Sequence, residues 1–234
     1  MEQHMLNWKN YVSEDVDPDS IDLSSFEIQD ELNSKVWKDT GLDPEIQDRL
    51  LEIADDFWQS LDIDWVDVKD VTFTGSLANY NWSSFSDIDL HIIVDFSEVD
   101  ENEDLVRDYF NAKRALWNRM HDIKIHGFEV EIYLEDDKES HISTGLYSIT
   151  RDEWIAEPTR FREDFDEKGV QNKAAALMDE VDRIQDLIDD EEYKEAIMSV
   201  DRLKEKIRKM RKTGLESKGA FSIENLAFKV LRRT

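Results

Sequence analysis

Four residues of this chain have the types and spacing of a phosphate and metal site: Gly75, Ser76, Asp87 and Asp89, within the run FTGSLANYNWSSFSDIDLHIIVDF from Phe73 to Phe96. Asp87 and Asp89 are two apart inside an apolar run, so on a β-strand both carboxylates leave the same face. Paired hard oxygens of this kind suit Mg²⁺, and Mn²⁺ is accommodated by the same donors. Gly75 lacks a Cβ, which lets backbone N–H groups approach a phosphate, and the Ser76 hydroxyl adds a donor. Ser86, immediately before the pair, offers a second hydroxyl for a phosphate or a metal ligand, or else serves as a turn residue.

The same segment contains residues with two open readings. His91 shares the face of Asp87 and Asp89 by period two, and either touches a phosphate or acceptor or packs beneath the site. Tyr80, Trp82 and Phe85 lie in the spacer, where they either stack a base or pack against the body. Further along, Glu129 and Glu131 again stand two apart, so either could supply a third carboxylate; Val130 and Ile132 place Glu131 in the better developed strand.

Gly75-Ser76, a ten-residue spacer, Asp87-Ile88-Asp89-Leu90 and then Val130-Glu131-Ile132 together resemble the DNA polymerase β-like nucleotidyltransferase superfamily over residues 64–134. The resemblance implies a catalytic triad of Asp87, Asp89 and Glu131, with the aspartates bridging two Mg²⁺ ions and Glu131 completing one of them. It implies that Ser76 and backbone N–H groups of the Gly75-Ser76 turn hold the terminal phosphates of a nucleoside triphosphate, with Ser86 a further candidate at that site. The reaction implied is transfer of a nucleoside monophosphate to a hydroxyl or phosphate acceptor, on a small molecule, a nucleotide, a protein side chain or a short RNA end. Two Mg²⁺ ions about 3.5–4 Å apart neutralise charge on such a leaving pyrophosphate. A catalytically silent nucleotide sensor, or an acidic mimic of nucleic acid, is the alternative.

One departure from that pattern concerns the triphosphate charge. Leu77-Ala78-Asn79-Tyr80 supplies no base after the Gly-Ser turn, where many relatives carry Arg or Lys. The counter-charge must come from elsewhere, with Lys113, Arg114, Arg160, Arg162, Lys168 and Lys173 as candidates, together with Lys204, Arg208 and Lys212 near the C-terminus.

The surrounding elements follow from periodicity. Asp43-Pro44-Glu45 reads as an N-cap, a first-turn proline and an acidic first turn, followed by Ile46, Leu50, Ile53, Phe57 and Leu61 at helical spacing. A strand is expected from Val66 to Thr74 and a buried one from Ile88 to Val94. Leu105, Tyr109, Ala112, Leu116 and Met120 predict a helix over 104–121, and 128–134 alternates as a strand. Leu177, Val181, Ile184 and Ile188 form one helical stripe; Ala196, Val200, Leu203, Ile207 and Met210 form another. The acidic break Asp189–Glu192 suggests a hairpin of antiparallel helices, with Gly214 ending the second and Ser222 capping a last one.

The expected architecture is thus α/β (α+β): a small mixed sheet backed by helices, then a helical C-terminal bundle. Residues 1–40 read as an N-terminal arm packing on the core, 41–160 as the catalytic domain and 161–234 as the helical region.

Composition limits the setting and the partners. The 234 residues contain no cysteine, which removes disulfides, thiolate metal sites and Cys nucleophiles. No apolar run approaches the ~18 residues of a membrane span, and the acidic N-terminus lacks signal-peptide regions, so a cytoplasmic setting is expected. A net charge of −27 argues against extended nucleic acid as a partner. The charge is uneven: residues 1–189 carry 48 acidic and 17 basic side chains, whereas 190–234 carry 8 and 12. This pattern has two readings, a solvated acidic surface with one mixed-charge helical end, or a basic C-terminal face that leans on the acidic body or receives a polyphosphate; a protein partner or homodimer would meet the chain through the C-terminal helices.

Overall fold

The computed structural model describes residues 16–38, 41–139, 144–160 and 164–233. The chain divides into two compact units, Ser24–Arg162 and Met1–Leu23 with Glu163–Thr234. The architecture is mixed α/β, a six-stranded mixed sheet with helices followed by three packed C-terminal helices. Of the expected N-terminal arm, residues 1–15 and 39–40 lie outside the described residues.

In the first unit, a short ribbon of β1 (Trp37–Lys38) and β2 (Gly41–Leu42) leads into α1 (Pro44–Gln59). Asp43 caps α1 by accepting from the Glu45 N–H at 3.0 Å, and Ile46, Leu50, Ile53 and Phe57 are buried on one face, as the spacing requires. The sheet order is β5-β6-β4-β3-β7-β8, made of β3 (Asp70–Thr74), β4 (Ile88–Val94), β5 (Lys124–Ile125), β6 (Phe128–Asp136), β7 (Leu146–Ser148) and β8 (Glu153–Ala156). β3 begins at Asp70 rather than Val66, because residues 66–69 lead into the sheet as irregular chain. Only β4 and β6 run parallel; the crossover between them is α2 (Phe96–Val99) and α3 (Glu103–Met120).

Alternation gives the sheet two chemically distinct faces. Val71, Phe73, Ile88, Leu90, Ile92, Val94, Val130 and Ile132 are buried on one, in a core that includes α1 residues and Phe110 of α3. Trp37 stacks on Phe73 at 5.5 Å and on Trp154 at 4.6 Å, closing the β7-β8 end of this core. The other face carries Thr72 and Thr74, Asp89 and His91, and Glu131, Tyr133 and Glu135.

The α3 helix is present but turned relative to the stripe that predicts it. Val106 and Phe110 are buried, whereas Leu105, Tyr109, Leu116 and Met120 are exposed. Asn118 contributes to the turn of the helix by docking on the free edge of β6. Its carboxamide accepts from Ile132 N and donates to Ile132 O, both at 3.2 Å, and so continues the sheet ladder where β5 has stopped.

In the second unit, α4 (Glu167–Asp189) and α5 (Tyr193–Lys218) are separated by Asp190–Glu192, with Glu191 at a positive φ of 62°, and α6 (Ile223–Leu231) packs on both. Val170, Leu177, Ile184, Ala196 and Leu203 are buried, while Val181 and Ile188 of the expected stripe are exposed. The described stretch before Leu23 belongs here: Val16 N donates to Asp179 at 2.9 Å and Gln171 to Ile21 O at 3.1 Å.

Gly214 does not end α5. It lies inside the helix where an added Cβ would sit 2.7 Å from Ser222 Oγ and 2.8 Å from Glu224 Cβ, so its role is close approach to α6. The helix stops one turn later, at Gly219, whose φ of 66° suits a residue without a Cβ. Ser222 caps α6 as expected, accepting from Asn225 N at 3.3 Å.

Candidate functional site

The floor of the site is the register between three strands. Asp89 on β4 is the direct partner of Thr74 on β3 and of Glu131 on β6, so these three side chains share a row on the polar face. Neighbouring strands lie about 4.8 Å apart, which brings Asp89 and Glu131 within reach of a common ligand. Asp87 stands one residue before β4, half-buried, on the Asp89 side of the strand by period two. Glu129 is on the same face by period two but beside β5 rather than in the Asp89 row. It is exposed and lies 3.5 Å from Lys124 Nζ of its β5 partner.

The Gly-Ser turn is built around Asp89. Gly75 has φ 80° and ψ −165°, a conformation open almost only to glycine, and a Cβ placed on it would lie 1.8 Å from Asp89 Oδ2. The space a side chain would fill is thus taken by a carboxylate. The turn is fixed from behind by hydrogen bonds to its carbonyls: Asn79 Nδ2 donates to Gly75 O at 2.7 Å and the Trp37 indole to Leu77 O at 2.6 Å. Thr144 in turn donates to Asn79 Oδ1 at 2.6 Å, and Leu77 and Ala78 are fully buried.

Ser76 and Ser86, ten residues apart, meet across the loop with their hydroxyl oxygens 2.7 Å apart, and Ser86 also accepts from Ser83 N at 3.0 Å. Two hydroxyls hold two protons and spend one on their mutual bond, so one proton is left to donate to a ligand oxygen beside Asp87.

Tyr133 and Arg114 complete the row beneath. The Tyr133 hydroxyl donates to Glu131 Oε2 at 2.6 Å, orienting that carboxylate. Burial, then the bond to Glu131 and the nearby charge of Asp89, push the phenol well above its ordinary value, so it stays a donor. Arg114, reaching over from α3, places its guanidinium 4.6 Å from the centre of the Tyr133 ring. His91 is nearly buried, stacks on Tyr133 at 4.8 Å and lies 2.7 Å from Glu135 Oε1 without hydrogen-bond direction; it packs under the carboxylates.

Two of the three spacer aromatics are tied to the body, whereas Phe85 is exposed. Trp82 donates to Glu31 O at 2.8 Å, while Tyr80 lies under Arg160, 5.0 Å from its guanidinium, and accepts at its carbonyl from Gln29 N at 2.7 Å. Of the candidate cations, Arg114 stands at the site and Arg160 beside its loop. Arg162 lies outside the described residues.

Asp87, Asp89 and Glu131 do not close into a tight triad. Among the described residues, the acidic group whose oxygens all lie within 4.8 Å of one another is Asp95, Asp136 and Asp137, at the opposite end of β4 and β6. That cluster already has protein partners: Lys138 Nζ lies 2.8 Å from Asp95 Oδ1, and Asp95 caps α2 through Ser97 N at 2.9 Å. The Lys138 and Ser97 bonds hold the Asp95 carboxyl down at about 2. The sequence reading missed this group because it joins two strand ends far apart in the chain. It missed Tyr133 as well, although its position two residues after Glu131 is a signal that the sequence does contain.

Comparison with known protein families, curated proteins and solved structures finds no match. Among the described residues, no helix is long and apolar enough to cross a membrane.

Proposed function

We propose that this protein is a Mg²⁺-dependent nucleotidyltransferase of the kind its Gly-Ser and Asp-x-Asp pattern resembles, with Mn²⁺ able to replace Mg²⁺. The observation that carries the reading is the direct pairing of Asp89 with Glu131 across parallel strands, under a glycine whose missing side chain makes room for Asp89. Holding half-buried acidic side chains side by side on neighbouring strands costs free energy unless a cation or strong donors meet them, so this row fits a divalent ion chemically. Asp87, Asp89 and Glu131 are the ligands, and the bound ions supply charge neutralisation on the phosphates.

The remaining residues then have defined tasks. The Ser76-Ser86 pair donates to a terminal phosphate oxygen, Arg114 adds positive charge, and Tyr133 keeps Glu131 turned toward the ligand. In the reaction the acceptor oxygen forms a bond to the α-phosphorus, the bond from that phosphorus to the pyrophosphate oxygen breaks, pyrophosphate leaves, and the acceptor proton passes to solvent. The acceptor class is a small molecule, a nucleotide, a protein side chain or a short RNA end.

The test is incubation of the full chain with each α-labelled nucleoside triphosphate and Mg²⁺ or Mn²⁺, against a panel of these acceptors. Label transfer with stoichiometric pyrophosphate release is expected. Metal-dependent nucleotide binding with no transfer to any acceptor class supports the silent sensor instead.

A further inference from the structure

A second feature with the character of a binding site lies wholly within the helical unit. The α5 helix presents Lys204, Arg208, Arg211 and Lys212 along one face, and these line a cleft of about 600 Å³ whose apolar surface comes from Ile207, Leu215 and Phe228. Those four cations face one acid in the cleft, Glu216, in a chain whose net charge is −27. Four neighbouring cations repel one another, and a ligand of opposite charge relieves that repulsion.

The ion pairs that these cations make within the chain are exposed ones. Arg211 makes its contacts with neutral groups, stacking 4.0 Å from the centre of the Phe228 ring and donating to Asn225 Oδ1 at 3.4 Å. Burial, and to a lesser extent the charge of nearby Arg232, holds the Arg211 guanidinium below its ordinary value. Lys212 lies 3.9 Å from Glu216, at the outer limit of an ion pair and in an exposed position where such pairs contribute little. Arg208 touches Glu205 at 2.6 Å through an exposed contact one turn away, again of the weak class.

Size and shape identify the ligand. Lys204 and Lys212 are eight residues apart on one helix, about 12 Å at 1.5 Å rise per residue, a length that one phosphate cannot bridge. Guanidinium groups favour the paired oxygens of phosphate, and a planar Arg held on an aromatic ring is a surface on which a base can stack. The extreme charge of the rest of the chain disfavours a long polyanion, because that repulsion acts over the whole surface while the cleft acts only within a Debye length, about 8 Å at physiological salt.

We propose that the cleft between α5 and α6 is a binding site for a short chain of phosphates carrying a base, either a nucleoside polyphosphate or the end of a single-stranded oligonucleotide. The site stands independently of the carboxylate row on the sheet and needs no metal ion.

The experiment measures binding of a fluorescent single-stranded hexanucleotide to the full chain at low salt, with EDTA present so that metal-dependent binding elsewhere does not contribute. Competitors are tripolyphosphate, ATP and hexaglutamate. Arg208→Gln/Lys212→Gln should weaken binding at least tenfold, whereas the charge-matched Lys194→Gln/Arg202→Gln, on exposed positions of α5 outside the cleft, should stay within twofold. Circular dichroism and thermal unfolding of both double variants establish that they remain folded. Displacement by ATP as readily as by unlabelled hexanucleotide, and more readily than by tripolyphosphate, assigns the site to nucleotides; displacement by the hexanucleotide alone assigns it to a strand end; displacement by tripolyphosphate as readily as by ATP overturns the role given to the base. The proposal is overturned if no phosphate probe binds at millimolar concentration, if the two double variants lose binding equally, or if hexaglutamate displaces the probe as well as the phosphates do.

Discussion

Gly75 and Asp89 occupy one another's space: a Cβ on the glycine would lie 1.8 Å from the carboxylate oxygen of the aspartate. The Gly-Ser turn is thereby coupled to the acidic strand by shape as well as by sequence order. Gly75→Ala must displace either the turn or Asp89, and it also imposes an L-residue on φ 80°. The backbone strain alone costs about 1–3 kcal/mol. Transfer activity is expected to fall by about 10²-fold or more, the scale of misplacing a reacting group by an ångström. Retention of wild-type activity and metal titration in Gly75→Ala would show that the coupling has no functional consequence.

Glu131 and Glu129 can be separated by substitution. Glu131→Gln removes the carboxylate paired with Asp89 and held by Tyr133, so metal-dependent nucleotide binding should drop more than about 100-fold. Glu129→Gln, whose side chain faces Lys124, should stay within about twofold of wild type, a difference no larger than an exposed ion pair contributes. Isothermal titration of both variants with nucleotide and Mg²⁺ checks this, and a reversal of the two effects would reassign the third ligand.

Tyr133→Phe keeps the ring that stacks on His91 and lies near Arg114 but removes the bond to Glu131. Metal affinity is expected to weaken by about 10–100-fold, the usual effect of losing a hydrogen bond to a ligand. Because the ring remains, the fold should persist, and saturating Mg²⁺ should restore much of the activity. A loss that metal cannot restore would assign Tyr133 a direct role in substrate contact.

Alkaline stability has a defined sign. Burial and the 2.6 Å bond to Asp152 push the Tyr147 phenol up to about 12. The native state therefore holds its proton after the unfolded state, with a phenol near 10, has lost it. Stability from this group is complete below pH 10 and is lost as pH rises through about 12. Denaturant titrations between pH 9 and 12 should show a shallower decline for Tyr147→Phe than for wild type; identical slopes would contradict the assignment.

Gly214→Ala tests the packing of α5 on α6. Alanine gains about 1 kcal/mol of helix propensity. The clash with Ser222 and Glu224 costs about 1–3 kcal/mol, so a net loss near 1 kcal/mol is expected, lowering Tm by about 2–4 °C. A raised Tm would mean that the two helices part at no cost.

Several local signals were readable because the responsible atoms are near in sequence. The Asp43-Pro44 cap, the exact span of Ile88–Val94, the break after Asp189 and the Ser222 cap all depend on residues within one turn of each other. The face of α3 was not readable because two apolar stripes compete on it. Leu105-Tyr109-Leu116-Met120 is the longer, but Val106 and Phe110 meet the core, and Asn118 docks on β6, a contact no helical period contains. Gly214 was misread for the same kind of reason: a glycine in a helical pattern looks like a stop until its neighbour across the helix pair is known. The sequence pointed to Gly75, Ser76, Ser86, Asp87, Asp89 and Glu131 as candidates through spacing and resemblance, whereas the position of Arg114 over Tyr133 depends on where α3 packs and leaves no trace in local spacing.

The most direct measurement is the stoichiometry of Mn²⁺ bound in the presence of a non-hydrolysable nucleoside triphosphate, followed by electron paramagnetic resonance. Wild type should bind two ions per chain, Asp89→Asn and Glu131→Gln should lose nucleotide-dependent binding, and Asp136→Asn should leave it unchanged. Binding that survives in Asp89→Asn but disappears in Asp136→Asn would place the metal at the Asp95-Asp136-Asp137 cluster and contradict the account.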